Sequence, residues 1–236
     1  LSAGLILGGQ WAYEELGWGG FWAWDPVENA ALMPWLTGTA FLHSVMIQEK
    51  RNMLKIWNVV LIIMTFGLTI IGTFLTRSGI INSVHSFTQS EIGPAFLIYL
   101  TLILVTGFAL LFKRIQMLES EHKIESVLCR ENVFLAQNVL LTGIAFTVLL
   151  GTIFPLLAEA VRGTKLSIQA PYFNTVTAPM GYALLLLMGV GMLISWRKSN
   201  LESLRRNFQN PIILATVGTI FLSWMLWEKN LRWDVY

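Results

Sequence analysis

Charged residues make up only 13% of this 236-residue chain, about half the share of an ordinary soluble domain, roughly a quarter. That scarcity excludes a water-soluble domain and a disordered chain. A net charge of +2 leaves no basic footprint, so no nucleic-acid partner is expected. Cysteine is scarcer still. Cys129 stands alone, which excludes a disulfide framework and a CxxC redox or zinc pair. No CxxCH occurs either, so the chain does not itself carry covalently attached haem. It also shows no initiator Met, signal peptide or polar leader, and it opens inside an apolar run from Leu1 to Gly9. It is therefore expected to be an internal piece of a longer protein.

What is present is apolar surface: 55% hydrophobic residues and a mean hydropathy of +0.61. Six runs reach the 17 to 25 residues, roughly, that cross a hydrocarbon layer. They are Ala30–Ile47, Ile56–Thr76, Pro94–Phe112, Val133–Ala158, Pro179–Trp196 and Pro211–Trp227. Leu1–Ala12 reads as the end of a seventh helix. The expected fold is an all-α, polytopic transmembrane helix bundle, one membrane domain over residues 1–236. Eleven of the sixteen Lys and Arg residues fall in three alternate connections, which places those on the cytoplasmic side. Outer loops are then expected at 13–29 and 77–93. The cytoplasmic segment 113–131 is expected to hold a short interfacial helix near Gln116–Leu128, with His122 as a solvated residue there.

Five of the ten tryptophans lie between Trp11 and Trp35. The segment Trp18-Gly19-Gly20-Phe21-Trp22-Ala23-Trp24-Asp25-Pro26-Val27-Glu28-Asn29 ends in a helix start. Asp25 suits the cap, Pro26 the first helical position, and Glu28 the return arm of a capping box. Upstream, Trp18, Phe21, Trp22 and Trp24 supply broad rings on a glycine-rich backbone. A membrane-surface aromatic belt is one reading. A belt scatters single aromatics over many helix ends, so four in seven residues point instead to a platform for a large planar ligand, a porphyrin or a quinone.

Histidine separates those ligands, because haem iron takes axial imidazoles. His85 lies in the outer loop 77–93, the same side as the tryptophans. His43 lies inside Ala30–Ile47, where an ionisable residue is costly. Each has an ordinary alternative: an exposed loop residue for His85, an imidazole hydrogen-bonded across helices for His43. Together, around one loop, they favour haem. Arg77 begins the second outer loop, where its guanidinium suits a haem propionate, a lipid phosphate or the helix C-terminus. Arg162 and Lys165 on the next outer loop are weaker sites of the same kind.

These residues resemble the WWD motif of haem-handling membrane proteins. Asp25-Pro26-Val27-Glu28-Asn29 is similar to the CcmF/NrfE branch rather than the CcsA branch, which usually reads Asp-Pro-Lys-Glu. Arg77-Ser78-Gly79, Ser83-Val84-His85, Arg130-Glu131-Asn132, Asn138-Val139-Leu140-Leu141, Gly151-Thr152 with Pro155, and Pro171-Tyr172-Phe173-Asn174 continue the resemblance in order. Phe21 and Ala23 depart from it, standing where the family often has Trp and Phe; an indole N–H is lost at 21.

The resemblance implies a membrane subunit of the cytochrome c maturation haem lyase. It implies that His85 ligates transient haem b delivered by the chaperone CcmE, and that His43 ligates a resident haem b. The partner ligands would lie before Leu1 and after Tyr236. It further implies CcmH-type thioreduction and apocytochrome-handling subunits, apocytochrome c and membrane lipid as partners. The implied site is a bacterial inner membrane with the tryptophan loop in the periplasm, or a mitochondrial inner membrane. The implied chemistry is thioether formation between haem vinyls and CxxCH thiols, with no catalytic acid or base assigned. A haem exporter or carrier without ligation activity and a quinone-reactive redox protein are the alternatives.

Overall fold

The computed structural model describes residues 1–17, 20–78, 92–120, 128–163, 166, 168–196 and 199–228. Its seven α-helices are α1 (Ser2–Glu15), α2 (Pro26–Arg51), α3 (Lys55–Arg77), α4 (Gly93–Lys113), α5 (Arg130–Arg162), α6 (Ala170–Leu193) and α7 (Leu201–Glu228). No strand occurs among the described residues. Six of the helices, α2 to α7, are long and apolar enough to cross a membrane. The chain is thus an all-α, multi-pass membrane protein.

Several boundaries differ from the apolar runs. Helix α6 begins at Ala170, runs through Pro179 and ends at Leu193, so Ile194 to Trp196 lie beyond it. Helix α7 begins at Leu201 and runs through Pro211. Proline marks the apolar stretch in both, but each helix extends toward its N-terminus beyond it, α7 through a charged stretch and α6 through a mixed one holding Asn174, Thr175 and Thr177. The expected interfacial helix is reduced, within the described residues, to a four-residue 3-10 turn at Ile115–Leu118; Glu119 and Ser120 leave it. His122 lies outside the described residues.

Two compact units are present, Leu1–Lys123 with Phe134–Met188, and Ile124–Val133 with Gly189–Tyr236. In the first, Met33, Leu36 and Ala40 of α2 pack with Leu61 and Leu68 of α3. Leu141, Ile144, Ala145 and Val148 of α5, and Phe173 of α6, complete this core. Lys50 and Arg51 close the last turn of α2, where cations suit the helix dipole. The chain then reverses through Asn52 and Leu54, both left-handed at φ 55° and 61°. Small residues let the helices approach closely, as in other membrane bundles. A Cβ on Gly72 of α3 would lie 3.2 Å from the Ala30 carbonyl of α2, and one on Gly107 of α4 would lie 3.3 Å from Ile63 of α3. The outward side chains of α4, including Ile98, Leu102, Val105 and Phe112, are exposed and apolar, as lipid contact requires.

In the second unit Arg130 opens α5 and terminates α6. Its Nε donates to the Ile194 carbonyl and its Nη2 to the Met192 carbonyl, each at 2.9 Å, with the guanidinium 5.2 Å from the Trp196 ring centroid. A guanidinium on the last carbonyls of a helix satisfies groups that have no intrahelical partner. The Arg130 of the motif therefore has a structural use.

Candidate functional site

The loop between α1 and α2 is short, because α1 continues through Glu15 and α2 starts at Pro26. Its exit is fixed by the capping box read from the sequence. Asp25 accepts from the Val27 amide at 3.0 Å, and Glu28 Oε2 accepts from the amides of Asp25 and Ala23, both at 3.1 Å. Through that one oxygen, Glu28 anchors the residues on either side of Trp24.

Trp24 itself has φ 59°, a left-handed conformation that a bulky residue rarely adopts. Such strain persists only where its surroundings over-determine it. Three contacts do so. The Trp24 carbonyl accepts from Asn29 Nδ2 at 3.1 Å. Its indole N–H donates to Asn174 Oδ1 at 2.7 Å, and its ring stacks on Phe173 with centroids 5.0 Å apart and planes 11° apart. Trp22 meets Trp24 edge-on at 5.9 Å. The Trp22 Nε1, buried, has no hydrogen-bond partner.

Phe173 can lie under Trp24 because α5 offers a gap. A Cβ on Gly151 would come within 2.5 Å of Phe173 Cε1 and 2.8 Å of Tyr172 Cε1, so any larger residue would have to displace those rings. Next to Gly151, Thr152 Oγ1 accepts from the same Asn29 Nδ2 at 3.1 Å. Residues of α2 and α6 thus hold Trp24, and α5 backs both sets through Thr152 and Gly151.

Phe21 behaves differently. It stacks on Tyr13 at 4.5 Å and 12°, its carbonyl pressed near Gly9, and stays 58% exposed. The aromatic loop therefore divides into an exposed pair and a half-buried, strained cluster.

Arg77, the last residue of α3, is exposed. Because Gly72 touches Ala30, Arg77 and Asp25 each lie about 7.5 Å beyond that contact along antiparallel helices. They share one end of the bundle. His43 does not. It lies 17 residues into α2 from Pro26, about 26 Å along the axis. The grouping of His43 around the tryptophan loop is thus corrected to a second, separate site, because α2 runs unbroken between them. Half-buried there, the His43 ring lies 5.4 Å from that of Phe134, and its Nδ1 has no partner among the described residues. An unpartnered imidazole in a membrane span fits an axial ligand. Among the described residues no group of three or more His, Cys, Asp and Glu could hold a bare ion. Trp18, His85, His122 and Lys165 lie outside the described residues. Arg162, exposed, ends α5.

Phe173, Asn174, Asn29, Thr152 and Gly151 were not among the expected site residues. Thr152 is a polar residue inside the apolar run Val133–Ala158, a signal visible in the sequence, whereas Asn29 stood at the end of the expected loop and only the structure shows it buried. Asn174 carries no such mark.

Residues 1–81 match the family model described as cytochrome C assembly protein. The chain is 43% identical over 227 residues to the cytochrome c-type biogenesis protein ccl1 of Rhodobacter capsulatus, covering 96% of this chain and 34% of the relative. It is 40% identical over 231 residues to CcmF of Escherichia coli K12, covering 96% and 34%. It is 39% identical over 207 residues to the probable biogenesis protein NrfE of the same organism, covering 86% and 37%. A solved structure of the cytochrome c haem lyase CcmF superposes with a TM-score of 0.70 at 39% identity, covering 93% of this chain and 32% of that one. The chain spans about a third of the length of the curated relatives it matches.

Proposed function

We propose that this chain, a CcmF-type sequence, supplies the haem-positioning part of a cytochrome c haem lyase. The observation that carries the reading is Trp24, held in a strained backbone conformation by partners on two helices, α2 and α6. A rigid indole beside a helix start is a poor stability device and a good shelf for a flat ligand, since little freedom remains to be lost on binding.

The substrate in this reading is haem b, handed over by a chaperone of the CcmE kind. Trp22 and Trp24 would face the porphyrin, with Trp18 and Phe21 beside them. Asp25 shapes the shelf by capping α2. Arg77, at the same end of the bundle, would pair with a propionate, and His85 would ligate the iron. The reaction is addition of a cysteine S–H across a haem vinyl C=C. A carbon–sulfur bond forms, the proton goes to the neighbouring vinyl carbon, and no electrons are gained or lost overall. The chain contributes placement rather than acid or base.

His43 would hold a resident haem b, whose chemistry is one-electron reduction of the delivered iron. Phe134, its ring 5.4 Å from that imidazole, would help shield the ligand bond from water. CcmH-type subunits and apocytochrome c complete the reading as partners, with the loop on the periplasmic side of an inner membrane.

Supplying haem and a CxxCH apocytochrome to the reconstituted complex tests it. Covalently attached haem, lost in Trp24→Ala, is the expected result. Haem that binds but never becomes attached would make the protein a carrier or exporter instead.

A further inference from the structure

Helices α2 and α5 run antiparallel between two fixed points. Asn29 Nδ2 donates to Thr152 Oγ1 at one end, and the His43 ring lies against Phe134 toward the other. Asn138 follows Phe134 by four residues, which puts it on the same face of α5, about 6 Å further along. Interpolated between the two fixed points, it stands nearly level with Ala40. That residue is wholly buried. Helical side chains lean toward their own N-terminus. His43 therefore leans toward the level of Ala40, and Asn138 leans back toward the level of Phe134. In antiparallel helices these two leanings converge.

Asn138 is 0% exposed, and neither its Nδ2 nor its Oδ1 has a hydrogen-bond partner. A carboxamide left in that state carries its full desolvation cost, which a leucine would avoid. His43 Nδ1 is buried and unpartnered in the same seam. When an imidazole ligates a metal through Nε2, the remaining proton sits on Nδ1 and takes an acceptor, which fixes the ring and raises its basicity.

We propose that Asn138 is a positioning residue for the intramembrane haem site, its carboxamide oxygen accepting the Nδ1–H of iron-ligating His43. This rests on the reading that His43 binds haem b. Asn138 touches neither iron nor porphyrin in this arrangement; it acts through the imidazole. It also gives Asn138, the polar residue of the Asn138-Val139-Leu140-Leu141 motif, a use that packing does not supply.

The test is redox titration of the haem-loaded protein purified from membranes, with His43→Ala, Asn138→Leu and Asn138→Asp. His43→Ala should lose the haem b spectrum; if it keeps it, the His43 reading itself fails. With that loss established, Asn138→Leu should keep haem and raise the midpoint potential, because the ligand becomes less basic. Asn138→Asp, nearly the same shape, should lower it. Each shift should be about tenfold in the ratio of reduced to oxidised haem, about 59 mV for one electron. Should Asn138→Leu fail to fold, the sign of the Asn138→Asp shift still decides. Unchanged potentials, or shifts of the same sign in both variants, overturn the inference.

Discussion

Trp24 donates its indole N–H to Asn174 at 2.7 Å, across 150 residues of chain. That bond and the Phe173 stack beside it join the aromatic loop to the start of α6. The loop is therefore a part of the bundle wall.

Removing the bond should separate function from stability. Asn174→Ala should cost only about 1 kcal/mol, the worth of an ordinary hydrogen bond. Covalent haem attachment should fall much further, by up to about a hundredfold, because a misplaced shelf misplaces the vinyls. Thermal unfolding in detergent and attachment yield, measured on the same preparation, give the two values.

Gly151 should tolerate nothing larger. A methyl there would meet the Phe173 ring at 2.5 Å, and overpacking of that kind costs about 1–3 kcal/mol. Gly151→Ala is expected to push Phe173 off Trp24 and reduce attachment. Adding Phe173→Leu should restore part of the stability and none of the stacking.

Strain at Trp24 has its own signature. Trp24→Gly and Trp24→Ala both delete the ring and should abolish attachment alike. At φ 59° glycine is unstrained and alanine is not, so the glycine variant should be the more stable by about 1 kcal/mol. Equal stabilities would show that the left-handed backbone is not held in solution.

Much of this was legible in the residues themselves. Six spans followed from hydropathy, and the Asp25–Glu28 capping box from spacing alone. The starts of α6 and α7 were misplaced because polar residues interrupt the apolar run there, Asn174 to Thr177 in α6 and Glu202 to Asn210 in α7, and Pro179 and Pro211 fall inside rather than at a boundary. Asn174 and Phe173 were invisible as partners of Trp24, since nothing local to residue 173 reveals what lies over it. His43 was recognised by its burial in an apolar run. Its distance from the loop needed the length of α2.

Cys129 should be inert. Burial pushes its thiol up from the ordinary value, and the nearby Glu131 charge acts in the same direction. Less thiolate is present at neutral pH than in a free cysteine, and thiolate is the reactive form. Alkylation by iodoacetamide in the folded protein should be slow at pH 7 and reach the rate of a model thiol only on unfolding. Rapid labelling of the native protein would contradict the buried position.

The central claim is that this chain binds haem iron inside the membrane through His43. The reduced-minus-oxidised spectrum of the purified protein, with and without His43→Ala, tests it most directly. The expected result is a haem b signal that the substitution removes while the helical content stays the same. An unchanged haem b signal in His43→Ala would contradict the claim.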